Sequence, residues 1–151
     1  MPPNASGRPG MPARAPIGLV LDRVARQLSR EFDEALVEAG GSRPIWLVLL
    51  ALTIDQEANQ RQLADFVGIR GATLTHHLNA MESAGLVVRS RDPENRRSHL
   101  VRHTPSGEEM FLRLREAATA FDKRLRRGLS AKDVDTLRTL LNRLSDNSSR
   151  G

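Results

Sequence analysis

The chain predicts a mainly α fold with a small β wing (α+β), and three observations carry that prediction. Apolar residues recur at three- and four-residue steps near both ends. Two short helical segments in the middle are each closed by a glycine. One β-branched, arginine-studded stretch turns on itself around a proline.

The elements follow in order. Leu21, Val24, Leu28, Phe32 and Leu36 share one helical face and mark a long amphipathic helix. Pro44 then opens the run Ile45-Trp46-Leu47-Val48-Leu49-Leu50, with proline near a helix start where its missing N–H costs nothing. Asn59 is a good N-cap with Gln62 three residues on as its capping-box partner, and Leu63, Phe66 and Val67 are expected to share the buried face of that short helix. Gly68 ends it, and Ile69 plugs the turn from inside. The next helix runs from about Gly71 to Ala84, with Leu74, Leu78 and Met81 as its buried stripe and Gly85 as its stop. From Leu86 to His103 the pattern is that of a hairpin, with Asp92, Pro93 and Asn95 favouring turn geometry. Thr104 and Pro105 cap a helix carrying Phe111, Leu114, Ala118, Phe121 and Leu125. Ser130 with Asp133 caps a last one carrying Val134, Leu137, Leu140, Leu141 and Leu144.

Helix, tight turn, helix and hairpin in this order make a winged helix-turn-helix over residues 43–104, flanked by N- and C-terminal dimerisation helices over 16–40 and 105–147. Together 16–147 form one domain, preceded by a disordered arm over 1–15 and followed by a frayed tail over 148–151, with fraying expected from Ser145. The three outer helices exceed what a winged helix needs for its own core. Their apolar faces call for a partner, and a second copy is the simplest; packing only on one another within a monomer is the alternative.

The middle unit points to duplex DNA. Advancing 100° per residue from Leu74 places Ala72, Thr73, His76, Asn79 and Ala80 on the outer half of the second helix, with Thr75 on the flank. Small and hydrogen-bonding groups of this kind suit base edges in the major groove. Arg70, at the N-terminal end, can reach a guanine edge or a phosphate. The hairpin holds five arginines (Arg89, Arg91, Arg96, Arg97, Arg102) against Asp92 and Glu94, a balance of +3. Arginine without lysine fits fork-like phosphate recognition or insertion into a narrow minor groove; a merely solvated hairpin is the alternative. Paired copies would hold two recognition helices about 34 Å apart, one duplex turn, and so require an inverted-repeat operator.

Composition bounds the rest. At 151 residues and 39% hydrophobic the chain suits one domain with a real core, and a formal charge of +5 favours a polyanionic partner and salt-sensitive binding. There is no cysteine, which excludes disulfides and thiol-based redox sensing. No apolar stretch approaches the roughly 18 residues of a membrane span, and the proline-rich start (Pro2, Pro3, Pro9, Pro12) has no apolar core of a signal peptide, so a cytoplasmic protein without membrane partners is expected. His76 and His77 point about 100° apart on a helix, and His99 and His103 are too far apart on a strand for joint ligation, so no metal site and no cofactor are expected. No phosphate loop, nucleophile elbow or acid-base pair argues for an enzyme. Lys123, Arg124, Arg126 and Arg127 suit a helix C-terminus.

At these residues the chain resembles the MarR-type transcriptional regulators. The resemblance is carried by Gln62-Leu63-Ala64, Val67-Gly68-Ile69, Ala72-Thr73-Leu74-Thr75, Met81-Glu82-Ser83-Ala84-Gly85-Leu86-Val87, Arg91-Asp92-Pro93-Glu94-Asn95-Arg96-Arg97 and Thr104-Pro105-Ser106-Gly107. The usual wing pattern of that family, Asp-Pro-x-Asp-Arg-Arg, has Asn95 here for its second aspartate, and His103 stands where a leucine precedes the threonine. The resemblance implies a homodimeric repressor of a near-palindromic operator, released by a small molecule such as an aromatic or phenolic compound. Arg70, Thr73, Thr75, His76, Asn79, Arg89, Arg91, Arg96 and Arg97 are then the DNA-binding residues. Trp46 is by default a core or interface anchor. Ligands of the family sit between the dimer helices and the DNA-binding lobe, which makes Trp46, with His77 at the core edge, a candidate for ligand contact. The competing readings are a winged-helix protein-interaction module without DNA binding and a metal-responsive regulator.

Overall fold

The computed structural model describes residues 13–150. Most of the arm expected over 1–15 lies outside them. Its elements are α1 (Ile17–Glu38), α2 (Arg43–Asp55), β1 (Ala58–Asn59), α3 (Gln60–Val67), α4 (Gly71–Ser83), β2 (Val87–Arg91), β3 (His99–His103), α5 (Pro105–Leu125) and α6 (Ala131–Ser149).

The core gathers around α2. Apolar on every side from Ile45 to Leu52, this helix has no wet face to offer and is buried by α1, α3, α4, α5 and the sheet. Val48, Leu49, Ala51 and Leu52 meet Leu36 of α1, Leu63 and Ala64 of α3, Leu74, Leu78 and Met81 of α4, Val87 and Val101 of the wing, and Phe111 and Leu114 of α5. The α4 stripe is buried as its spacing predicts.

Caps set the boundaries. Asn59 Oδ1 accepts from the Gln62 N–H (2.8 Å) while Gln62 Oε1 accepts from the Asn59 N–H (2.9 Å), a complete capping box. Ser130 and Asp133 make the same reciprocal pair at α6, at 2.8 and 3.1 Å. Gly68 stands at φ +77°, the left-handed conformation that lets its N–H and that of Ile69 close onto the Ala64 carbonyl at 2.9 and 3.2 Å.

The three strands are antiparallel in the order β1-β3-β2, with Val88 opposite Arg102 and Arg91 opposite His99. β1 pairs Ala58 with Val101 and Asn59 with Leu100. Two residues carry no periodicity, so this strand has no sequence signal; it exists because the chain entering α3 passes the open edge of β3.

Two expectations are corrected. Phe66 is 46% exposed, and the buried face of α3 is Leu63 with Ala64, Val67 being half-buried. An eight-residue helix wedged between α2 and α4 has room for a narrow apolar stripe, and Phe66 lies beyond its edge. At the other end, the helix expected to fray from Ser145 continues to Ser149, where the Ser148 and Ser149 hydroxyls donate to the Ser145 carbonyl at 2.8 and 3.0 Å.

The junction between wing and α5 is close-packed. The Thr104 N–H donates to the Leu86 carbonyl (3.0 Å), and its hydroxyl donates to the Gly85 carbonyl and accepts from the Gly107 N–H (3.1 Å). A Cβ at Gly107 would stand 2.1 Å from the Leu86 oxygen, so only glycine lets α5 start this close to the α4–β2 turn. The helix that leaves the wing is thereby fastened to it.

Candidate nucleic-acid interface

The outer face of α4 forms as its spacing predicts. Ala72, Thr73, His76, Asn79 and Ala80 are all exposed, opposite the buried Leu74, Leu78 and Met81. Arg70 stands at the N-cap position in extended conformation and makes no side-chain cap bond, so its exposed guanidinium is at the positive end of the helix. Thr75 is turned inward. Its hydroxyl donates to the Gly71 carbonyl (2.9 Å) and accepts from Gln60 Nε2 (3.2 Å), which ties the start of α4 to α3. His76 meets His77 edge-on at 5.7 Å; His76 faces solvent and His77 is half-buried.

The wing turn is built from its own side chains. Asp92 Oδ1 accepts from the Glu94 N–H at 2.9 Å, and Asn95 Oδ1 accepts from the Arg97 N–H at 3.2 Å. Backbone bonds from Asp92 to Ser98 (3.0 Å) and from Ser98 to Asn95 (2.9 Å) close the loop. An Asx turn needs only a side-chain oxygen, so Asn95 performs the local folding task of an aspartate without adding negative charge beside Arg96 and Arg97. At the other departure from the family pattern, the half-buried His103 ends β3 against the start of α5, and its Nδ1 is buried without a hydrogen-bond partner.

The five wing arginines divide into two groups. Arg102 pairs with Glu57 through both Nε (2.8 Å) and Nη2, bracing β3 against the segment before β1. Arg89 donates from Nε to Glu82 Oε2 (2.9 Å) and from Nη2 to Asn79 Oδ1 (2.6 Å), with its side chain only 19% exposed. The Arg89 bond holds the Glu82 carboxyl below the usual carboxylate range. Arg91, Arg96 and Arg97 are exposed and form no salt bridge among the described residues. Three guanidinium forks thus remain open on the wing. Spacing alone does not mark Glu82 as part of the site. Its signal was an acid one helical turn after Asn79, but only the α4–β2 turn brings Arg89 to both.

Trp46 stacks on Phe111 of α5 at 5.4 Å and 7°, with the Arg115 guanidinium 6.0 Å from the Phe111 ring centre. It is half-buried against the core, an anchor between α2 and α5. No single described helix is long and apolar enough to cross a membrane.

A helix-turn-helix with an arginine wing, carried between long helices, defines the class of winged helix-turn-helix proteins. The MarR family model matches residues 42–99, from the cap of α2 to the start of β3, and over this part the chain is similar to that family. A relative from Bacillus subtilis (strain 168), the uncharacterized HTH-type transcriptional regulator YdgJ, is 35% identical over 91 residues, 60% of this chain and 56% of its own length. The chain thus spans a little over half of that relative. Among solved structures, the transcriptional repressor CouR bound to a 23-mer DNA duplex is 28% identical with a TM-score of 0.76, over 86% of this chain and 92% of that one. A MarR-family transcriptional regulator from Rhodococcus sp. RHA1 is also 28% identical, with a TM-score of 0.73 over 85% and 91%.

Proposed function

We propose that this protein is a sequence-specific DNA-binding transcriptional regulator, a homodimeric repressor that binds an inverted-repeat operator and is released by a small molecule. One observation carries the reading: an exposed, hydrogen-bonding face of α4 stands on the same rigid unit as three unpaired wing arginines. Thr73, His76 and Asn79 serve the major groove, with Arg70 at the helix N-terminus on a guanine edge or phosphate. Arg91, Arg96 and Arg97 grip backbone or minor groove. Thr75 and Arg89 act by holding the reading surface in place. The likeness to a repressor bound to duplex DNA supports the same assignment.

The dimer is supported by what α6 lacks. It buries no residue of its own, and with the N-terminal half of α1 it forms an apolar groove in which Ile17, Leu21, Val24, Leu137, Leu140 and Leu141 are all exposed. A second copy covers these faces and sets two α4 helices one duplex turn apart. Release then follows from a ligand, aromatic or phenolic in class, that binds the non-operator spacing of the lobes more tightly than the operator spacing. Trp46 and His77 are its proposed contacts. The Thr104–Gly107 junction makes any shift of α5 a shift of the wing.

A mobility-shift titration of the duplex upstream of its own operon, at two salt concentrations, tests the reading. Expected are binding that falls steeply with salt and an Arg96→Ala variant with weaker affinity and a shallower salt slope, by about one unit. Salt-independent capture of a protein, without a duplex shift, would establish the interaction-module reading instead.

A further inference from the structure

The Arg89–Asn79 bond restricts what Asn79 can read. A guanidinium carries donors only, so the amide atom facing Arg89 Nη2 at 2.6 Å is the oxygen, and the NH2 group is the one left over. That orientation is held from a third side. Arg89 is itself fixed by Glu82 Oε2 at 2.9 Å, one turn further along α4, and its side chain is largely withdrawn from solvent. Asn79 is exposed, and its Nδ2 makes no hydrogen bond among the described residues.

A free asparagine reads adenine in bidentate fashion, donating to N7 while accepting from N6. That mode needs the amide oxygen and nitrogen on the same edge of the base. Here the oxygen is turned toward the wing and already accepts from Arg89, while both N–H groups are left free. Resting on the DNA-binding reading above, we propose that Asn79 is a donor-only reader in the major groove. It selects guanine, whose O6 and N7 are adjacent acceptors, over adenine, whose N7 acceptor stands beside the N6–H donor, and Arg89 is the positioning residue that sets this preference. The wing in this arrangement does more than grip the backbone. Its first strand sets the hydrogen-bond polarity of the recognition helix, so a residue that touches no base determines which base is accepted.

The test is binding-site selection from a randomised duplex pool with the full chain, comparing wild type, Asn79→Asp, Arg89→Met and Arg89→Lys. Wild type is expected to select guanine over adenine at one symmetric position of each half-site. Asn79→Asp keeps an oxygen for Arg89 but loses both donors, so preference at that position alone falls, by roughly tenfold, toward bases that offer a donor. Arg89→Met frees the amide to rotate and admits adenine at the same position. Arg89→Lys, which still donates, retains the wild-type choice. Coincidence of the affected position in two variants is a readout that general destabilisation does not produce. Variants that leave every position unchanged, or that lower affinity equally for all sequences as a phosphate contact would, overturn this inference while the regulator reading stands. A wild-type protein that selects no sequence overturns the regulator reading, and this one with it.

Discussion

The winged helix-turn-helix unit and the helical arms are made from the same residue types and behave as opposites. From α2 to β3, leucines and valines at helical or strand spacing are driven fully inside: Val48, Leu49, Leu52, Leu63, Leu74, Leu78 and Val101 are all at 0% exposure. In the arms the same spacing leaves Leu137 at 49% and Leu140 at 48%. Periodicity announces an apolar face in both places, but it says nothing about what covers it. The winged unit closes its core within one chain because five elements converge on α2. Among the described residues, the N-terminal half of α1 and α6 line one apolar groove, and their faces stay open there.

Matched truncations in the two regions give the sharpest break of this contrast. Leu78→Ala empties a fully buried site and is expected to cost about 3 kcal/mol, seen in denaturant or thermal unfolding. Leu140→Ala is expected to act through association: a smaller loss of stability, visible as a midpoint that rises with protein concentration and a weaker dimer in sedimentation. Equal and concentration-independent losses would show that the arms complete their own core.

The link between the regions comes next in size. Gly107→Ala places a Cβ against the Leu86 carbonyl and should cost about 2 kcal/mol, in the range of overpacked cores. It should also loosen operator binding more than its stability loss explains, since the α5–wing junction is what it disturbs. A variant as stable and as tight as wild type removes that junction from the mechanism.

The smallest effect concerns the arm alone. Asp133 is held below the ordinary carboxylate range by hydrogen bonds from the Ser130 backbone and then its hydroxyl. A depressed folded value means that this contribution is present above the unfolded value and lost as pH falls through the folded one. Circular dichroism should therefore show α6 loosening slightly under acid, and Asp133→Asn should remove that pH dependence. The matching box at α3, Asn59 with Gln62, contains no carboxylate and should not share it.

The legible parts of the site were those written in local chemistry. The Asn59–Gln62 box, the Gly68 and Gly85 stops, the Leu74-Leu78-Met81 stripe and hence the opposite face with Thr73, His76 and Asn79 all follow from residues within four or five positions of one another. The wing turn is of the same kind, closed by Asp92 and Asn95 onto their own backbone. Spacing misplaces Phe66 for the converse reason: it locates a stripe to within one residue, and the neighbours α2 and α4 decide its edge.

What the chain determined by itself is the set of elements, their caps, and the presence of five arginines in one hairpin, because short-range hydrogen bonding and side-chain period act before any tertiary contact. Only the folded arrangement decided how those arginines divide. Arg89 meets Glu82 and Asn79 across the α4–β2 turn, Arg102 meets Glu57 from 45 residues away, and Arg91, Arg96 and Arg97 are left open. A guanidinium's partner is set by which acceptor the backbone carries within about 3 Å of it. That distance is a property of packing, which sequence spacing does not encode.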